Sequence, residues 1–205
     1  MNAELLTAFV TLFVIVDPVG LAPLFVALTQ GMDRRTRRGV AIRACLIGGL
    51  VLLAFALVGE ALLGIVGISM PAFRIAGGLL LFLTALDMLF ERRTKRREEQ
   101  ASSDNDPSVF PLATPLIAGP GAIATMILLT GQPGADAVWI SAVLGVLALV
   151  ILIVFLLFLA AAPLERLLGP TGINVVTRLL GMLLAALSVQ FVLDGLKGAG
   201  VIAGG

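Results

Sequence analysis

Apolar stretches at roughly 4–29, 38–59, 71–90, 111–131, 137–162 and 174–195 alternate with polar joints along the 205 residues. A helix that crosses the hydrocarbon core of a bilayer takes about 20 mostly apolar residues, and each stretch reaches that length. The pattern predicts six spanning helices. Arg43 and Arg74 stand near the ends of the second and third stretches. Long arginine side chains can snorkel from such places to the headgroups. One long polar run, Glu91–Ser108, reads ERRTKRREEQASSDNDPS, with mixed charge and no apolar period. It predicts a solvated linker that divides the chain into two units. The organisation expected is a first three-helix unit at 1–90, a charged cytoplasmic linker at 91–110, a second unit at 111–197 and a short tail at 198–205.

The two units repeat one another. Pro18 and Pro23 lie five residues apart, and Pro115 and Pro120 restate the pair 97 residues later. Glu60, Leu62, Leu63, Gly64, Gly67 and Ile68 return as Glu165, Leu167, Leu168, Gly169, Gly172 and Ile173, shifted by 105. Arg74, Gly77, Leu79, Leu80, Leu83 and Thr84 return as Arg178, Gly181, Leu183, Leu184, Leu187 and Ser188, shifted by 104. Three crossings per copy place the second copy upside down relative to the first. The fold class expected is therefore an all-α integral membrane protein. Its six transmembrane helices form two inverted three-helix repeats, with helices 1 and 4 broken at the prolines.

Those breaks hold the candidate chemistry. Asp17-Pro18 reads as an N-cap followed by a first-turn proline, so the helix is expected to stop near Val16 and restart at Pro18. Thr114-Pro115 offers the same pair in the fourth stretch, with Gly119-Pro120-Gly121 loosening the backbone beyond it. A helix that restarts inside the membrane aims free N–H groups and partial positive charge at its own beginning. Two such starts related by inversion would converge at mid-depth and hold a carboxylate or another small anionic group. Gly20, Gly119 and Gly121 would let a ligand approach the backbone. The substrate-binding candidates are thus Asp17, Pro18, Gly20, Pro23, Thr114, Pro115, Gly119, Pro120 and Gly121. Asp17 is the most deeply placed carboxylate; it either caps the restart, couples transport to a proton, or meets a substrate ammonium. Glu60–Arg74 and Glu165–Arg178 lie at matching places in the two units, as hairpin ion pairs or as a gate on each face.

Composition narrows the chemistry. Hydrophobic residues make up 59% and charged residues 13%, against about 25% charged in soluble domains. Mean hydropathy is +1.09, a load that lipid absorbs and a soluble core does not. Net charge is +1, which implies no nucleic-acid partner. With no histidine and one cysteine, Cys45, there is no disulfide, no thiolate cluster, no H-E-x-x-H zinc site and no serine–histidine relay. No metal, cofactor or catalytic residue is expected, and the chain reads as a non-enzyme. It also lacks the G-x-x-x-x-G-K-[ST] loop that would couple it to ATP. Arg34, Arg35, Arg37, Arg38, Arg43, Arg92, Arg93, Lys95, Arg96, Arg97, Arg166 and Arg178 all fall on one side of a six-span model, leaving Arg74 and Lys197 on the other. The positive-inside rule makes the rich side cytoplasmic and both termini periplasmic.

VDPVGLAPLF at Val16–Phe25, FRIAGGLLLFLTALDML at Phe73–Leu89, PLATPLIAGPGAIATMILL at Pro111–Leu129 and RLLGMLLAALSVQFVLDGL at Arg178–Leu196 carry a likeness that covers nearly the whole chain. In these segments the chain resembles the MarC family of bacterial inner-membrane proteins. The resemblance implies six transmembrane helices with both ends outside the cytoplasm, and a role in moving neutral amino acids. The function expected is secondary transport of small neutral amino acids or similar metabolites across the inner membrane. A coupling proton or sodium ion and membrane lipid are the expected partners. An oligomeric channel, or a membrane protein that transports nothing, is the alternative, and the sequence leaves the oligomeric state open.

Overall fold

A computed structural model describes residues 2–90, 106–132 and 134–202, apart from the side chains of Asn2, Glu165 and Arg166. Among the described residues the chain is helical and has no strand. Its segments are α1 (Asn2–Val16), α2 (Pro18–Leu28), α3 (Arg34–Val66), α4 (Met70–Leu89), α5 (Ser108–Ile117), α6 (Pro120–Thr130), α7 (Ala137–Leu159) and α8 (Ala161–Gly198). By length and composition five helices can cross a membrane, counting α1 and α2 as one span. The pair α5–α6, bent by 54° at its joint, brings the number to six if it is a single span. Most of the predicted linker, residues 91–105, lies outside the described residues.

Capping chemistry sets the helix ends. Asp33 accepts hydrogen bonds from the backbone N–H groups of Arg35 and Thr36 and starts α3. Gly67, at φ 80°, ends it: the N–H of Ile68 reaches the Leu63 carbonyl at 2.9 Å and that of Gly67 reaches Gly64 at 3.2 Å. The helix between has 33 residues, about 50 Å at 1.5 Å per residue. It overruns the expected 38–59 at both ends because the caps, not the apolar run, decide where it stops. Ser69 and Asp136 open α4 and α7 in the same way, accepting from Ala72 N–H and Trp139 N–H. The expected joint between the last two spans is different. The chain stays helical from Ala161, and the turn is made at Gly169 (φ 63°, ψ 173°) just before Pro170. Proline cannot return an N–H to the preceding turn, and glycine takes the positive φ without strain.

The packing places α1–α2 at the centre. Of its apolar window 61% is buried, against 28% for α4 and α7 and 22% for α8. α3 lies against α5, α6 and α7; α7 lies against α1 and α2; α2 and α6 lie against α8 and α4 respectively. α4 and α8 run antiparallel in close contact. A Cβ at Gly78 would stand 2.8 Å from the Ser188 carbonyl, and one at Gly181 3.0 Å from Met88 Cβ. Small residues let membrane helices approach to backbone contact, where dispersion replaces the missing hydrophobic drive. Leu12, Leu21, Phe25, Leu52, Leu81, Met126, Phe158 and Leu184 fill the interior, while Leu57, Ile65 and Leu167 face outward. An outer surface this apolar is suited to lipid.

Candidate functional site at two helix interruptions

Asp17 separates α1 from α2. It is fully buried and stands at φ 55°, ψ 62°, the left-handed region, and among the described residues no other non-glycine has positive φ. Aspartate tolerates that region because its short side chain bonds locally. Here Oδ1 accepts the Gly20 N–H at 3.0 Å, so Asp17 is the N-cap and Pro18 the first helical residue of α2. Pro18 has no N–H to return to the Val14 carbonyl, so the ladder must break at this point. Gly20 has a specific job. A Cβ there would land on the Asp17 carboxylate. The expectation that Gly20 leaves room for a ligand is corrected: its own cap occupies that space. Pro23 does not break the helix, since α2 runs through it to Leu28.

The second interruption is not built as the sequence suggested. Thr114 does not cap a helix at Pro115. Its hydroxyl donates to the Val109 carbonyl at 3.3 Å, and its backbone is extended (φ −133°, ψ 127°), as the residue before a proline prefers. Phe110, before Pro111, is extended as well. α5 is therefore wound wide, and Leu112 N–H and Ala118 N–H bond five residues back, to Pro107 and Ala113. The helix restarts at Pro120, with Gly119 in the cap position and the Ile123 N–H returning to the Gly119 carbonyl at 3.0 Å. α2 and α6 each have 11 residues and each begin on a proline. Matching those starts pairs Asp17 with Gly119, Gly20 with Ala122 and Pro23 with Thr125, a shift of 102. That shift lies nearer the 104 and 105 of the later matches than the 97 of the proline pairs.

The second restart meets the end of α1, just before the first. A Cβ on Gly121 would lie 3.5 Å from Ile15 Cγ2, 3.0 Å from Leu81 Cδ2 and 3.9 Å from Thr84 Oγ1. The end of α1, the start of α6 and the middle of α4 thus share one junction, two residues from Asp17. Gly119 is held by its neighbour instead, since a Cβ there would stand 2.6 Å from the Pro115 carbonyl. One turn beyond Gly121, on the same face of α6, the Thr125 hydroxyl is buried with no hydrogen-bond partner among the described residues. Most buried hydroxyls are satisfied, so an orphan in the second turn of α6 stands out as a group able to bond a polar guest. Thr84 and Ser188 donate back to the Leu80 and Ala185 carbonyls.

The proposed ion-pair gates fare differently. Glu60 and Arg74 do not pair within 4 Å. Glu60 lies beside Gly131, with Cδ 3.6 Å from where a Cβ would sit, and Arg74 Nε is buried without a hydrogen-bond partner among the described residues. The Glu165 side chain of the expected Glu165–Arg178 pair lies outside the described residues. A bridge the sequence did not announce ties α5 to α3. Arg43 Nε donates to Ser108 Oγ at 3.1 Å, and Nη2 lies 3.2 Å from Asp106 Oδ2. The Ser108 N–H and hydroxyl both donate to Asp106 Oδ1. These two bonds, then the Arg43 charge, hold the Asp106 carboxyl below the ordinary carboxylate range.

Fold and composition define a helical integral membrane protein. The model of the MarC family integral membrane protein matches residues 2–200, and the chain belongs to that family. A UPF0056 membrane protein of Archaeoglobus fulgidus is 42% identical over 193 residues, covering 92% of this chain and 90% of the relative. The UPF0056 membrane protein MJ1677 of Methanocaldococcus jannaschii is 37% identical, covering 94% and 95%. The UPF0056 membrane protein YvbG of Bacillus subtilis is 32% identical, covering 97% and 96%. No solved structure matches the chain.

Proposed function

We propose that this protein is a secondary transporter of small neutral amino acids or similar metabolites, seated in the inner membrane with both termini periplasmic. The observation that carries the reading is the junction where the start of α6 meets the end of α1, with Gly121 against Thr84 and against Ile15, two residues before Asp17, and the unpartnered Thr125 hydroxyl one turn further along α6. The first-turn N–H groups of α6 suit a carboxylate, and the Asp17 carboxyl suits an ammonium or a coupling proton.

The inverted-repeat architecture is part of the same reading, and the packing supports it. Exchanging α1 with α5, α2 with α6, α3 with α7 and α4 with α8 turns the contacts of α3 on α5 and α6 into those of α7 on α1 and α2. It also turns α2 on α8 into α6 on α4. All of these pairs are in contact, and α3 on α7 and α4 on α8 map onto themselves. Rocking one unit against the other about such an axis gives alternating access to a site between them. The test is uptake of labelled glycine, alanine and serine into proteoliposomes under proton, sodium and no gradient. Accumulation driven by a gradient is expected. No movement of any neutral amino acid under any gradient overturns the reading.

A further inference from the structure

Eight residues beyond Asp17, on the arginine-rich side of the helix break, the Phe25 ring stacks on Phe158 of α7. Their centroids are 4.3 Å apart and their planes 5° from parallel. Both side chains are fully buried. The Arg37 guanidinium, from the first turn of α3, sits over the Phe25 ring at 5.1 Å from its centroid. The end of α2 and the start of α3, neighbours along the chain, are packed at this point with α7, which lies more than 100 residues further on. The stack lies roughly 10 Å along α2 from Pro18, counting 1.5 Å per residue.

The same shift of 102 that pairs Pro18 with Pro120 pairs Phe25 with Ile127. Ile127 packs at the matching place in the second unit. It fills the space left by Gly59 of α3, where a Cβ would meet its side chain within 3 Å, and Thr130 Oγ1 donates to the Ala56 carbonyl at 2.9 Å. The two closures differ in one respect. Around Ile127 the polar group is satisfied, whereas Arg37 Nη2 is buried with no hydrogen-bond partner among the described residues. A buried donor without an acceptor destabilises the closed arrangement and is relieved when water or a carboxylate reaches it.

We propose that the Phe25–Phe158 stack, roofed by Arg37, is the closure of the solute path on the arginine-rich face, with Ile127 on Gly59 as its counterpart on the opposite face. The assignment rests on the transport reading above. Opening this face withdraws the Phe25 ring from Phe158 and exposes Arg37 Nη2 to the departing solute. Cation–π and aromatic contacts of this size are strong enough to hold a closed state and weak enough to be broken on each cycle.

The test reads accessibility rather than flux. Ala22→Cys places one thiol on the Phe25 face of α2, a turn nearer the break, in a Cys45→Ala background that removes the chain's lone cysteine. A membrane-impermeant maleimide is added to inside-out and to right-side-out vesicles. Phe25→Ala is expected to speed labelling from the arginine-rich face by about tenfold, the shift in open population expected when an aromatic pair is lost. Labelling from the other face should be unchanged, and Phe25→Tyr, which keeps the stack, should resemble the parent. Equal acceleration from both faces means general loosening and overturns the proposal, as does no acceleration. Leu152→Ala, on the exposed side of α7, should have no effect, and a similar rise in it also overturns the proposal. Because no solute is needed, a one-sided result stands even if proteoliposomes move nothing, and flux without it removes this closure alone.

Discussion

Asp17 and Gly20 compete for one space at the first helix break. Gly20→Ala puts a methyl where the Asp17 carboxylate lies, so the cap must leave. Losing an N-cap costs about 1 kcal/mol, and a buried carboxylate displaced from its donor adds about 1–3 kcal/mol. Gly20→Ala should therefore destabilise by about 2–4 kcal/mol, although alanine is ordinarily the better helix former by ~0.5–1 kcal/mol. Asp17→Gly loses the cap but relieves the left-handed backbone, so its net cost is expected to be small, roughly 0–1 kcal/mol. With the carboxylate absent the added methyl has room, and combining Gly20→Ala with Asp17→Gly should be neutral or stabilising relative to Asp17→Gly alone. The coupling between the two sites is then about 2 kcal/mol or more, well above the additivity error of distant pairs. The assay is reversible unfolding of the four proteins in one detergent, by denaturant or by steric trapping. If Gly20→Ala costs the same with and without Asp17, the carboxylate does not hold that space and the account of the break is wrong. Asp17→Asn, which keeps both the acceptor and the tolerance of positive φ, should retain near-parent stability. It thereby isolates any loss of proton-driven uptake as chemical rather than structural.

Three further outcomes follow from particular contacts. Gly121→Leu overpacks the junction of Ile15, Leu81 and Thr84, and should reduce uptake at least about tenfold while Gly145→Leu, with no neighbour near its Cβ, leaves it unchanged; proteoliposome flux reads both. Asp106 has its carboxyl held low in the folded protein, so the stability it contributes is present above the ordinary value of 3.8 and is lost as pH falls through the folded value; hydrogen exchange at Val109 and Leu112 should stay slow at pH 5, rise only below 3.8, and lose that acid step in Asp106→Asn. Glu60→Gln should change the unfolding free energy, read by denaturant titration in detergent, by no more than the ~0.5 kcal/mol scatter of surface changes, because Glu60 has no ionic partner in Arg74; a larger loss would restore the gate pair.

Much of this architecture is written in local chemistry. The break at Asp17 follows from covalent facts: Pro18 has no N–H, and an aspartate before it can cap. The second break has the same ingredients twice, at Thr114-Pro115 and at Gly119-Pro120, and the sequence gives no reason to choose. The choice falls to packing, since α5 lies against α3 with Ile117 in the space left by Gly48, and Arg43 fixes its start through Asp106 and Ser108. That anchoring supports the five-back hydrogen bonding through which Thr114 is spent on Val109 instead of on a cap. Ion pairs were the least legible feature. Glu60 and Arg74 match at a hairpin in sequence, yet α3 runs on past Glu60 to Val66 and carries the carboxylate toward Gly131.

By itself the sequence determined the class of protein, the approximate spans and the first helix break. Each depends on hydropathy, on charge count, or on a donor that proline lacks, and none needs a neighbour from elsewhere in the chain. Only the tertiary structure decided which proline restarts α6, that Gly121 meets Ile15 and Thr84, that Arg43 holds Asp106, and that Phe25 stacks on Phe158 under Arg37. Those pairings join residues far apart along the chain, and inside a membrane hydrophobicity does not choose among helix faces. Shape, small residues and the few polar groups choose instead, and they act only once the helices are side by side.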